Sequence, residues 1–470
     1  MSTKKIIQAL RQEFDGSAAR FFESVDQINE YVLGLAALMR MALDESPRSV
    51  ALNHPNFYQE FLSLVQFRVP VHSTLPLREL ADLRAQLVTR DLARYRIDRD
   101  FIFSPGGAIA FRYGILVKNL RSDPETRALF GYLPQGADHL VDSYVFVLNG
   151  ESNADLLADV LATGAKVVNL PESMGDIVRT IRTFKLDYIF FANDVSAKYS
   201  VAAKLAFYRL AVKAGVGVST IMPVASQSLD QVFAGDYFVK RSDCGEYPCP
   251  IIGGAHPGYS FRHIDLPASM GQEIAARPSA DHIMFFSGSN FWKVNGDVVR
   301  LWAEVLHAVP GSRLKLSLFP PHYASNNVSA ILQRISRLFA ERGIETPRVI
   351  FLEPSKSGEG WYRELADADV YLDSFPYSSL TSIHDAINCG LPPVVLKGPF
   401  LRNCHAPAIL DHINSGWLAA SDQREYVAKC VSLADDSEMR QSIRHAVFSA
   451  RNRLSDISSF YSSFLKAVRV

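Results

Sequence analysis

Apolar residues in the first hundred positions recur at three- and four-residue steps: Ile6, Leu10 and Phe14, then Phe21, Phe22, Val25, Ile28, Val32, Leu35, Leu38 and Met39. That spacing lines one face of a helix. Pro47, Pro55, Pro70 and Pro76 cut the region into short helices, and 77–95 is a further amphipathic stretch. No two-residue alternation stands out, so the pattern predicts an all-α N-terminal domain over 1–104. After the Ser104-Pro105-Gly106-Gly107 turn, short apolar runs predict strands at 114–117, 143–148, 166–170, 188–192, 216–222 and 237–240. Helical stretches at 154–163, 177–185 and 197–214 lie between them. Residues 244–280 are rich in Pro, Gly and Cys and read as a connection. A second series follows, with strands at 282–287, 314–319, 349–352, 370–374, 393–396 and 417–420. Its helices fall at 298–308, 330–342, 361–368, 382–388 and 406–413, and 423–468 reads as helical throughout. Strands that are apolar along their whole length belong to parallel sheets covered on both faces. The expected fold class is therefore α/β, with two doubly wound, Rossmann-like domains over 105–270 and 271–470 facing a cleft. In such sheets ligands bind beyond the carboxyl ends of the strands.

Composition narrows the function classes. The 470 residues carry 49 Lys+Arg against 49 Asp+Glu, so there is no global basic field to draw nucleic acid. At 48% hydrophobic and 11% aromatic residues, the chain has ample material for full cores. Five cysteines make no disulfide framework. The opening MSTKKIIQALRQEF lacks the apolar core of a secretory signal, and 31–43 is too short to span a bilayer. The expectation is a cytoplasmic protein with no membrane span.

The most informative stretch runs from Asp369 to Leu401, DVYLDSFPYSSLTSIHDAINCGLPPVVLKGPFL. A strand enters a loop ending in Ser378, Ser379, Thr381 and Ser382, and a helix begins there. Hydroxyl residues are good N-caps, and the free N–H groups at a helix start also form a diphosphate site. Asp385 lies one turn into that helix, within reach of a ribose hydroxyl. Ser287-Gly288-Ser289-Asn290-Phe291-Trp292-Lys293 follows the strand at 282–287, and its lysine suits a phosphate clamp. The spacing is not that of a P-loop. Trp361 and Tyr362 open the helix before the Asp369 strand, where an aromatic can stack on a base. Each feature alone also fits an ordinary capped helix, a solvated lysine or core packing.

Together they resemble the catalytic region of two related groups: the bacterial cytoplasmic N-glycosyltransferases that modify adhesins, and O-GlcNAc transferase. The pattern runs through Lys293, VVRLWAEVL, LKLSLFP, VIFLEP, WYRELADADVYLD, FPYSSLTSIHDAINCGLPPVV and GWLAASDQREYVAKCVSLADD. It covers 280–435 well and 112–243 weakly. The resemblance implies a GT-B fold and a UDP-sugar donor, of the UDP-glucose or UDP-GlcNAc type. It implies that Lys293 contacts the donor phosphates, Thr381 and Ser382 sit at the diphosphate-binding helix start, and Asp385 holds the donor. Trp361 would lie beside the uracil, whose edge the main chain near Leu352-Glu353-Pro354 would read. The family's adhesin branch has an Asn-rich FPFGNTNG loop where this chain has FPYSSLTS, and a His-rich segment where this chain has VKNLRSDPETRALFGY. Asp123 or Glu125 then become candidates for the catalytic base, with His139, His256 and His263 behind them.

The expected function is an inverting, metal-independent transfer of a hexose or N-acetylhexosamine to an Asn or Ser/Thr side chain of an acceptor protein such as an adhesin or flagellin. No cofactor or metal is expected, and self-association stays open. A non-catalytic GT-B-like partner or chaperone subunit, or a UDP-sugar epimerase, are the alternatives. Asp367-Ala368-Asp369 has the form of a metal motif but precedes a buried strand, and reads as structural. Cys244, Cys249, His256 and His263 lack standard zinc spacing.

Overall fold

The structure, a computed structural model, describes residues 21–44, 56–65, 69–103, 110–121, 124–136, 140–240, 246–262, 282–318, 328–353, 355 and 357–469. The 6–14 apolar series, the 104–107 turn and the 263–280 part of the connection lie outside the described residues. Between 21 and 103 the described chain forms the helices Val25–Asp44, Phe57–Leu64 and Arg78–Leu92 with short 3-10 turns, and no strand. Val32, Leu35 and Met39 on the first of these are buried, as the three- and four-residue spacing requires. Among the described residues no helix is long and apolar enough to cross a membrane.

Two parallel sheets follow. The first contains β1 (Phe111–Val117), β2 (Val141–Val147), β3 (Lys166–Asn169), β4 (Tyr188–Phe191), β5 (Lys213–Gly217), β6 (Gln231–Phe233) and β7 (Ile251–Ile252), in the order β3-β2-β1-β4-β5-β6-β7. The second contains β8 (Met284–Ser287), β9 (Arg313–Leu316), β10 (Val349–Phe351), β11 (Val370–Leu372), β12 (Pro393–Leu396) and β13 (Ala419–Ala420), in the order β10-β9-β8-β11-β12-β13. The strands lying centrally in each sheet are buried on both faces, which explains their uninterrupted apolar sequence: all four residues of β4 and of β8 are buried. Strand order reverses direction beside β1 and β4 in the first sheet, and beside β8 and β11 in the second. Those are the crevices where a doubly wound sheet receives a ligand.

Four expectations are corrected. Residues 237–240 are not a strand: Gly235, at φ +82°, turns the chain into the short helix Asp236–Val239, and the strand here is β6. The helix expected over 197–214 is confined to Val201–Leu205, capped by Ser200, because Lys213–Gly217 pairs with β4 as β5. This also moves the strand expected at 216–222 toward the N-terminus. At 417–420 only Ala419–Ala420 is extended, after a 3-10 turn. The tail is three helices, Gln423–Asp435, Ser437–Leu454 and Ile457–Arg469, with Asp436 capping the second through Met439 N at 2.8 Å.

The last helix returns to the first sheet. Its Phe460, Phe464 and Val468 lie one turn apart and are buried. The Phe464 ring sits 5.1 Å from Tyr132, 5.2 Å from Phe190 and 4.9 Å from Phe233, centroid to centroid. The N-terminal helical region likewise touches both sheet layers. Gly296 N donates to Phe22 O at 2.8 Å, and Val25 N to Asp297 Oδ2 at 2.8 Å, on the second-sheet side. On the first-sheet side the buried Arg84 donates to Val195 O and Lys198 O, each at 3.4 Å.

Candidate functional site

The crevice of the second sheet is built by the two loops that leave β8 and β11. After β8, Asn290 accepts from Trp292 N at 3.4 Å and starts the 3-10 turn Phe291–Lys293. Asn295 then caps the helix Gly296–Ala308 through Asp297 N and Val298 N, at 3.0 and 3.1 Å. Lys293 therefore stands on a turn held at both ends. Its Nζ lies 3.5 Å from Ser379 Oγ and 4.6 Å from the centroid of Tyr377, both on the β11 loop. Burial pulls the Lys293 pKa down to about 8, with the Asp373 carboxylate opposing that shift. Asp373, 1% exposed, accepts from Ser379 N at 3.2 Å, and burial raises its pKa to about 6 despite Lys293.

The helix Thr381–Asn388 begins next to this lysine. The hydroxyls do not cap it, contrary to the local reading: Leu380 occupies the capping position and offers no side-chain bond. Ser378 Oγ instead accepts from Ala406 N at 3.2 Å, and Ser382 Oγ donates to Gly288 O at 3.3 Å, joining the two loops. The first N–H groups of the helix thus have no side-chain cap, and they lie at the positive end of its dipole. A lysine and a bare helix start within one crevice suit an anion.

Asp385, one turn further, gathers three donors. Trp361 Nε1 reaches Oδ2 at 3.1 Å, Tyr362 OH reaches Oδ1 at 3.2 Å, and Arg127 Nη2 reaches Oδ1 at 3.2 Å. Arg127 comes from the helix Pro124–Leu129 after β1, so this ion pair crosses between the two sheet layers. Burial works against the Asp385 charge, but His384 and Arg127 overcome it and hold the carboxyl below its ordinary range. Trp361 does not open its helix, contrary to the sequence expectation: Gly358–Ala366 starts three residues earlier, behind the cap Ser357. Its indole crosses the β8 loop, where a Cβ on Gly288 would come within 2.3 Å of the ring, so this position requires glycine.

The other predicted residues are distributed unevenly. Leu352 continues β10, its N–H donating to Leu316 O at 2.9 Å, while Pro354 lies outside the described residues. Asp123, His139 and His263 also lie outside them, and Glu125 falls on the Pro124–Leu129 helix. His256 packs against His412 and Phe460 and meets Ser459 Oγ at 3.1 Å, beside the last helix. Asp367 pairs with Lys315 at 2.7 Å, and Asp369 accepts from Met284 N at 2.8 Å, so both carboxylates serve the sheet. Of the zinc-like set, Cys244 and His263 are outside the described residues. Among the described residues no three His, Cys, Asp or Glu side chains cluster as a metal site would.

The sequence reading missed Asp373, Tyr377 and Arg127, and with them His72, His405 and Arg402, which surround the same loop. Arg402 donates to Val71 O, Ser73 O and Leu75 O at 3.2, 3.1 and 2.7 Å and forms an ion pair with Glu246. Asp373 and Tyr377 lie inside the 369–401 stretch, whereas the Arg402 contacts join segments 156 to 331 residues apart, which leaves no local signal. A separate cavity of about 450 Å³ lies between the Arg78–Leu92 helix and 225–228, before β6, and none of the predicted site residues lines it.

Sequence comparison with known proteins points to the second half of the chain. Residues 274–463 match the model of glycosyl transferase family 41. A rice protein described as a probable UDP-N-acetylglucosamine–peptide N-acetylglucosaminyltransferase, SPINDLY, is 30% identical over 166 residues, 34% of this chain and 17% of its own length. A Caenorhabditis elegans UDP-N-acetylglucosamine–peptide N-acetylglucosaminyltransferase is 28% identical over 171 residues, 36% of this chain and 14% of its own. The matched stretch thus spans less than a fifth of these curated relatives. Among solved structures, a point mutant of Thermobaculum terrenum O-GlcNAc transferase superposes with a TM-score of 0.73 at 18% identity, covering 98% of this chain and 86% of that one. The chain is therefore a GT-B-fold protein whose second half is similar to glycosyl transferase family 41.

Proposed function

We propose that the protein transfers an N-acetylhexosamine or hexose from a UDP-sugar to a side chain of an acceptor protein, with inversion, without a metal and in the cytoplasm. The observation that carries this reading is the pairing, in one crevice, of the Lys293 ammonium with the uncapped start of the Thr381–Asn388 helix. The names of the similar proteins support UDP-N-acetylglucosamine as the donor class. In this reading the acceptor nucleophile attacks the anomeric carbon as the bond to the diphosphate breaks. Negative charge grows on the leaving UDP, where Lys293 and the helix N–H groups receive it. Asp385 would hold the ribose and Trp361 would flank the uracil. Asp123 or Glu125, in the sequence segment after β1, would accept the proton. Serine or threonine acceptors fit the similar O-GlcNAc transferase, and asparagine is the competing outcome. Incubation with UDP-GlcNAc, UDP-glucose and acceptor peptides of both kinds tests the reading by mass spectrometry. One added sugar per peptide and release of UDP are expected; no UDP release from either donor would overturn it.

Two further results follow from the site. Asp385→Asn keeps the shape of the side chain but removes the charge that Arg127 and the donor would share. UDP should bind ~10-fold more weakly, in keeping with a lost charged hydrogen bond. Calorimetry checks this, and unchanged affinity would remove Asp385 from the donor site. The second result concerns pH. Lys293 is lowered to about 8, so its charge is present below that pH and lost above it. UDP affinity should then decline ~10-fold per pH unit above the midpoint, until the bound lysine also titrates. A flat affinity from about pH 7 to 9.5 would contradict a cationic clamp.

A further inference from the structure

The Tyr377 ring, on which the Lys293 ammonium rests at 4.6 Å, is edged by two imidazoles. His72 meets it at 5.6 Å and 81°, and His405 at 5.8 Å and 88°, both edge-to-face. The two histidines are 5% and 1% exposed, and His72 Nδ1 and both His405 ring nitrogens are buried without a hydrogen-bond partner. His72 belongs to the helical N-terminal region, far from the donor-side loops in sequence. It is carried there by a clamp: Arg402 holds the carbonyls of Val71, Ser73 and Leu75, and Glu246 accepts from Leu77 N at 3.1 Å. Such a clamp fixes the backbone on both sides of His72.

We infer that His72 is a positioning residue of the donor site, holding the Tyr377 ring so that the ring directs the Lys293 ammonium toward the helix start. The N-terminal helical region is then a wall of the donor site. The inference deepens the donor reading above and rests on it. Aromatic edges packed on Tyr377 fix its plane, and the face of a fixed ring fixes the cation above it. The imidazoles serve this purpose only while neutral. Burial and the nearby Lys293 lower both to about 3, with Arg402 adding to the effect on His72, so no second cation competes with the lysine at neutral pH. The charged and titratable groups around Lys293 are Asp373 on the β11 loop, His72, His405 and Tyr377, with Arg402 behind His72 and Tyr371 behind Asp373.

The test reads Lys293 directly, by NMR titration of ¹³C-methylated lysines in the ligand-free chain, assigned with Lys293→Arg. The wild-type midpoint should lie near 8. In His72→Ala water enters beside Tyr377, and the midpoint should rise by ~1 pH unit as desolvation is relieved. UDP affinity should weaken ~10-fold as the ammonium loses its aim. His72→Phe keeps an aromatic edge and should restore both values, which a merely structural role would not predict. Should the alanine chain fail to fold, His72→Asn, which has no ring to pack against Tyr377, carries the same expectation. A midpoint unchanged in His72→Ala or His72→Asn, with wild-type UDP affinity, overturns the inference. A wild-type chain that ignores UDP overturns the donor reading instead, and the ligand-free titration still decides the part played by His72.

Discussion

Lys293→Met is expected to lower turnover ~100- to 1,000-fold, the loss seen when one preorganised group is removed from a developing negative charge. Methionine keeps most of the aliphatic stem beside Tyr377 and removes only the charge. The fold should survive, because the carboxylate left behind can neutralise itself: Asp373 already sits at about 6 with the lysine present, and losing that cation moves it further up. Turnover should fall more than UDP-sugar affinity, since charge on the leaving group is greatest at the transition state. Steady-state kinetics with a purified acceptor separates the two. Turnover within ~3-fold of wild type would place the lysine outside the mechanism.

Arg402→Met is expected to cost about 3–5 kcal/mol of stability, by leaving a buried charge without its partner. Arg402 and Glu246 are 0% and 3% exposed, and the guanidinium also serves three carbonyls of 71–75. Its loss strands the Glu246 carboxylate and those acceptors at once, at the junction of the N-terminal region and the second sheet. Urea denaturation measures the loss. The Arg402→Met, Glu246→Gln double variant should recover part of it, because the uncompensated charge is gone. A single-variant loss below ~1 kcal/mol, the scale of an exposed pair, would show that the clamp is dispensable.

The difference between what sequence revealed and what it hid follows from chain distance. The second sheet was legible because β8, β11 and β12 are short apolar runs at the positions expected for them, and the Lys293 and Thr381 segments leave the carboxyl ends of β8 and β11. The errors fell where tertiary pairing overrides local preference. Residues 201–205 make only one turn of a longer amphipathic pattern, because β5 must reach β4. β6 is three residues long, too short to register as a period. The residues that reach the site from far along the chain follow the same rule. Arg127 meets Asp385 at a separation of 258 residues, and Arg402 meets Glu246 at 156. No window of sequence contains either pair. His72 is in the same position, since it reaches Tyr377 from the opposite end of the chain.

The claim on which the rest depends is that the crevice between the β8 and β11 loops holds a uridine diphosphate. Calorimetric titration of the folded chain with UDP at neutral pH tests it most directly. One UDP per chain, with the heat greatly reduced in Lys293→Met, is the predicted result; a folded wild-type chain that gives no binding heat with UDP, UDP-GlcNAc or UDP-glucose would contradict it.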